Sequence, residues 1–164
     1  MTLDELLARE SIRDTLATYN IFGDRVRVEE FLTAFTEDAV LEFGGERQGE
    51  KTRHEGREAI RGWMTEWTSR PRPAETKSPE PKAASKPHAM FVRHHIATSR
   101  IEFTSAETAE GRTYFAVYTP AGPDHAGVYI DRFRKCGDRW LIAHRQARTE
   151  WHAPDSLFKP APAA

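Results

Sequence analysis

The stretch Met90-Phe-Val-Arg-His-His-Ile-Ala-Thr-Ser-Arg-Ile-Glu-Phe103 decides how this chain folds. It is rich in β-branched and aromatic residues and holds neither Pro nor Gly, so it reads as one long strand. Side chains alternate between the two faces of a strand. His94 therefore shares a face with Ile96 and Thr98, while His95 shares the other with Ala97 and Ser99. Unless a bulge intervenes, one histidine looks into the protein and the other does not.

Strands continue downstream. Thr113–Tyr118 runs to a Pro/Gly turn at Thr119–Asp124, which leaves His125 as a loop residue. Gly127–Arg134 follows, then the turn Cys136-Gly-Asp138, then Trp140–Arg148. Short turns between consecutive strands make an antiparallel meander. Upstream the pattern is helical. Thr2-Leu-Asp-Glu5 is a capping box, and Ala8, Ile12, Leu16 and Tyr19 form one stripe of the helix it opens. Gly23 is the expected stop, with Asp24 just beyond it. A second helix is expected over Val28–Thr36, a short strand over Ala39–Phe43, and a hairpin turn at Gly44-Gly45-Glu46. After Gly56 a third helix places Ile60, Trp63, Met64 and Trp67 on one face.

Helices segregated against a curved antiparallel sheet define an α+β architecture. A sheet wrapped around the long N-terminal helix makes a cone-shaped barrel, whose open end suits a small molecule. One domain over residues 1–152 accounts for the pattern, with a Pro/Lys-rich insertion at 68–88 and a Pro/Ala-rich tail at 153–164 that frays or folds over the pocket mouth.

Net charge is −1, and the insertion's basic residues lack interleaved aromatics, so no nucleic-acid or anionic-membrane partner is expected. No apolar run reaches the ~20 residues of a membrane span, and the N-terminus lacks a secretory pattern. The lone Cys136 has no disulfide partner within the chain, consistent with a cytoplasmic location. Adjacent histidines on a strand point apart, so no metal site is expected. No phosphate loop, dinucleotide fingerprint or nucleophile elbow is present, so no cofactor is expected either.

Four features occur in order: Glu10-x-Ile12-Arg13 leading to Tyr19 and Asp24; His54-x-Gly56-x-x-Ala59-Ile60; His94-x-x-x-Thr98-x-x-Ile101-Glu102; and Gly127-x-Tyr129-x-Asp131 with Gly137-Asp-Arg-Trp140 and His144-Arg145. As an ordered set they resemble the SnoaL-like branch of the NTF2-like (cystatin-like) superfamily. Together they span about residues 5–152. The branch includes polyketide cyclases, scytalone dehydratase, bile-acid 7α-dehydratase and a dehydrochlorinase. By position, the resemblance implies that Asp24 and His94 form an acid/base pair, with Arg145 and Tyr19 as further catalytic residues. Phe43 stands where the dehydratases carry a tyrosine, and Thr98 where an asparagine is common. With Trp63, Tyr129 and His95 they are the expected substrate contacts.

A carboxylate bonded to one imidazole nitrogen fixes the tautomer and leaves the other nitrogen as a base. Such a pair can take a proton α to a carbonyl or β to a leaving group. The expectation is a cofactor-independent lyase, isomerase or cyclase for an apolar, ring-containing substrate, assembled as a homodimer or homotrimer. The alternative is a non-catalytic ligand-binding or oligomerisation module on the same fold.

Overall fold

The computed structural model describes residues 1–44, 52–69, 91–156 and 158. Helix α1 (Leu3–Asp24) starts where the Thr2 side-chain oxygen accepts the Glu5 amide at 3.1 Å. The Glu5 carboxylate is instead engaged by Arg9 at 2.8 Å, and Arg9 also donates to the Ile101 carbonyl at 3.0 Å. Ile12, Leu16 and Tyr19 are buried as their spacing requires. The helix passes Gly23 and includes Asp24; the chain then reverses through Val26, whose φ is 58°. This left-handed conformation is unfavourable for a β-branched residue.

Helix α2 (Val28–Leu32) ends four residues before the expected limit, and strand β1 (Phe35–Phe43) starts four residues early. Pairing explains both differences. Phe35 lies opposite Ile142, and the Ile142 amide donates to the Ala34 carbonyl at 2.9 Å. Tertiary pairing thus holds extended a segment whose local pattern is helical. Strand β2 (Thr52–Glu55) pairs with β1, and helix α3 (Arg57–Ser69) follows. The expected turn at Gly44–Glu46 lies outside the described residues beyond Gly44, as does the 68–88 insertion beyond Ser69.

The meander is β3 (Arg93–Phe103), β4 (Thr108–Thr119), β5 (Gly122–Cys136) and β6 (Arg139–His152). The six strands lie in the order β2-β1-β6-β5-β4-β3. The β1–β6 contact is parallel, a pairing that no turn residue signals. The sheet curls around α1 without closing, with Phe115, Tyr129, Phe133 and Ile142 on its inner face against Ile12 and Leu16. Ser11 and Thr15 fasten α1 to Trp140, accepting its amide at 2.9 Å and donating to its carbonyl at 2.6 Å. The outer face exposes Tyr114, Tyr118 and Trp151. Among the described residues, no helix is long and apolar enough to cross a membrane.

Candidate active site

Asp24 sits at the last turn of α1, where the helix delivers it to the start of β3. Its Oδ1 lies 2.6 Å from His94 Nδ1, and its Oδ2 accepts the His94 backbone amide at 2.9 Å. Both carboxylate oxygens are thus engaged by one residue of the neighbouring strand. The carboxylate is 6% exposed and the imidazole 27%. With Nδ1 committed to Asp24, Nε2 is the nitrogen left for a ligand.

The strand alternation holds where it matters. The register of β3 on β4 is regular from Arg93 to Ile96 and shifts only between Ile96 and Ser99. His94 therefore points inward to Phe115 (ring centroids 6.2 Å apart), whereas His95 packs on exposed Tyr118 at 5.0 Å. Thr98 falls in the irregular segment and is exposed. Neither His95 nor Thr98 is brought to the His94–Asp24 pair.

A second histidine–aspartate pair faces the first. His125 lies in β5 rather than in a loop, with Nδ1 2.7 Å from Asp124 Oδ1. Its ring centroid is 6.2 Å from that of His94 and 6.0 Å from that of Phe115. Adjacent residues normally face opposite ways, but Tyr118 pairs with Pro123 and Val117 with His125, so Asp124 lies between them as a bulge. The bulge turns both side chains inward, and both residues are buried. Burial holds the His125 imidazole below its usual pKa, although Asp124 opposes this. Sequence reasoning missed His125 because Gly122-Pro123 reads as a turn. The signal was its parity with Tyr129 and Asp131: counting back by twos along β5 reaches His125.

Arg145 and Tyr19 belong to a deeper layer. Arg145 is 0% exposed and makes two 2.8 Å bonds to Asp131, itself fully buried as a side chain. The guanidinium lies between the Tyr19 and Tyr129 rings, 4.0 Å from each centroid. Its Nη1 is buried without a hydrogen-bond partner. Burial disfavours the charge, yet the Asp131 carboxylate more than offsets this and raises the Arg145 pKa. Burial likewise pushes both tyrosine hydroxyls up, so they stay protonated at neutral pH. The Tyr129 hydroxyl donates to Asn20 Oδ1 at 3.1 Å, and its ring stacks on Phe115 at 4.5 Å. Phe115 thus joins the arginine layer to the two histidines.

Phe43 and Trp63 form a third group, 4.6 Å apart between β1 and α3, with His54 5.6 Å from Trp63. Among the described residues no three metal-ligating side chains converge. A cleft of about 960 Å³ opens at the other end of α1, lined by residues that include Arg9, Phe103, Lys135 and Trp140. It contains none of the histidines described above.

A curved, unclosed sheet around one long helix, carrying two inward histidine–aspartate pairs, defines an NTF2-like α+β cone with a polar interior site. The SnoaL-like domain family model matches residues 4–146, and the chain belongs to that family. Several solved structures share the fold. A hexachlorocyclohexane dehydrochlorinase, LinA-type3, from Novosphingobium barchaimii LL02 is 18% identical, covering 98% of this chain and 99% of that one at a TM-score of 0.69. A Novosphingobium aromaticivorans protein named after scytalone dehydratase is 20% identical, with coverage of 100% and 99% and a TM-score of 0.68. A Nostoc punctiforme protein of unknown function with a cystatin-like fold is 18% identical, with coverage of 90% and 92% and a TM-score of 0.65. No curated protein is close enough in sequence to be matched to the chain.

Proposed function

We propose that this protein is a cofactor-independent lyase, isomerase or cyclase that removes a proton from a small, mostly apolar, ring-containing molecule. One observation carries the reading: His94 and Asp24, distant in sequence, meet at 2.6 Å on the inner side of the sheet. Asp24 orients the imidazole and stabilises the imidazolium formed when Nε2 takes the proton. That imidazolium can return the proton to a departing oxygen (elimination) or to another carbon (isomerisation). His125, kept neutral by burial, offers its own Nε2 as an acceptor for a substrate hydroxyl. Its ring stands 6.2 Å from the His94 ring, and a small molecule can contact both imidazoles. Membership of the SnoaL-like family and the dehydrochlorinase and scytalone-dehydratase names among its structural neighbours support this reaction class.

Arg145 is walled off by two tyrosine rings, so its proposed part is to position Tyr19 and Tyr129 beneath Phe115 rather than to touch substrate. Phe43 and Trp63 are proposed as the apolar wall on the α3 side. We also propose self-association into a dimer or trimer through the outer sheet face.

The test is proton exchange. Ring ketones, β-hydroxy ketones and halogenated rings are incubated with the protein in D₂O and followed by NMR, which detects abstraction whatever the proton's later fate. Wild-type protein is expected to catalyse exchange or elimination, and His94→Ala and Asp24→Asn to slow it by about 10²–10⁴-fold with the fold intact. Ligand-induced shifts of the His94 signals without exchange would favour a binding module instead.

A further inference from the structure

The chain after β6 does not leave the molecule at once. The Ala153 amide donates to the Asp124 carbonyl at 2.7 Å, and the Ser156 amide closes a turn on the Ala153 carbonyl at 3.1 Å. That turn brings the Ser156 hydroxyl to Asp124 Oδ1 at 2.7 Å. The Phe158 amide then donates to Ser156 Oγ at 3.1 Å. One continuous chain of hydrogen bonds results: Phe158 N–H to Ser156 Oγ–H to Asp124 Oδ1, with His125 Nδ1 on the same oxygen at 2.7 Å. The Phe158 ring lies 5.2 Å from the His125 ring and nearly parallel to Trp67 of α3, 6.2 Å away.

We propose that Ser156 is a positioning residue for His125, acting through Asp124, and that Phe158 is the apolar cap that keeps water from that imidazole. The geometry requires both parts. Asp124 sits at a bulge in β5, beside the histidine whose Nδ1 it contacts. The serine hydroxyl holds the same Oδ1 that His125 contacts, and the Ala153 amide holds the Asp124 backbone carbonyl. Donation from Ser156 also takes up negative charge on Oδ1 that would otherwise bear on the imidazole alone. Phe158 bridges His125 of β5 and Trp67 of α3. The part His125 plays in turnover rests on the acid/base reading above; the latch does not.

His125 faces Asp124 on its own strand, His152 of β6 stacked at 5.8 Å, and His94 of β3 with Asp24 behind it. Both variants should act on His125 in one direction. Ser156→Ala removes a donor from Asp124, whose carboxylate then holds the imidazole proton more strongly. Phe158→Ala lets water reach the ring and removes part of the desolvation that keeps it neutral. The experiment is NMR titration of the histidine ring signals of the full chain, with amide spectra to confirm the fold. His125 is expected to titrate higher by about half a pH unit or more in each variant. Ser156→Thr, which keeps the hydroxyl, should restore the wild-type midpoint. A His125 midpoint unchanged or lowered in both variants overturns the proposal, as does failure of Ser156→Thr to restore it. Should no substrate ever show proton exchange, the titration still stands or falls independently. Where a substrate is found, Ser156→Ala is expected to move the acid limb of the kcat profile upward by the same amount, while leaving KM within about twofold.

Discussion

Arg145 and Asp131 form an ion pair that water does not reach, and such pairs are costly to break from one side. Asp131→Ala leaves a buried guanidinium between two rings with nothing to neutralise it. Chemical denaturation should show a loss of about 3–5 kcal/mol or outright failure to fold. A loss under about 1 kcal/mol would mean that the tyrosine faces alone support the charge. Acid should act through other residues. Burial lowers the pKa of both His54 and His125, so the unfolded chain takes up protons more readily than the folded one. Their contribution is complete above about pH 6.5 and is lost as the pH falls through that value. The urea midpoint is therefore expected to be lower at pH 5.5 than at pH 7.5, and His54→Phe should narrow the gap; equal midpoints for the wild type would place both rings in water. At this scale the sequence was only half legible. Alternation says only that one of the two adjacent histidines faces inward; His94 is preferred over His95 by its place in the motif that resembles the family. His125 reads as a loop residue because Gly122-Pro123 reads as a turn, and the bulge that brings Asp124 to its side is not written in the local pattern.

Elements were legible where their own residues dictate them. The α1 stripe and the meander follow from periodicity and turn chemistry. Phe35 and Thr36 read as helix because the pairing of Phe35 with Ile142 of β6 that holds them extended leaves no local signal. Two backbone positions test what the elements need. Val26 carries φ 58° directly after the residue pair that ends α1, and its β-branched side chain strains that turn. Val26→Gly should raise stability by about 1 kcal/mol in a denaturation curve, after the entropic penalty of glycine is deducted. No gain would mean that the partly buried valine packs well enough to offset its strain. Gly127 is the reverse case. A Cβ there would stand 2.1 Å from the Arg148 carbonyl oxygen, next to the point where β5 and β6 shift register. Gly127→Ala is expected to force the strands apart and lower the melting temperature by at least several degrees, read by circular dichroism; an unchanged melt would show that the β6 backbone can yield.

Taken whole, the molecule has its polar site inside the cone and its aromatic surplus outside. Tyr114, Tyr118 and Trp151 are 51%, 40% and 49% exposed on the outer face of the sheet. Sedimentation is expected to give two or three times the chain mass, and Tyr114→Glu should drive the protein toward the monomer. A wild-type monomer at all concentrations would leave that face to water. The family was legible from ordered motifs that span most of the chain. The sheet order was not, because β1 joins β6 through a parallel ladder between segments far apart in sequence. That ladder has a consequence during synthesis. β6 lies between β1 and β5, and it is the last of the six strands to leave the ribosome. Until it emerges, β1 has no partner on that side, and the Ser11 and Thr15 fastenings of α1 have nothing to hold. The β1–β2 hairpin therefore stays apart from the meander until β6 has joined them, although α2 and β1 already offer Phe31 and Phe35 to Tyr19 of the first helix. Completion of the sheet is thus governed by contacts distant in sequence, and a chain that has β1 but not yet β6 presents an unpaired strand edge of the kind chaperones shield.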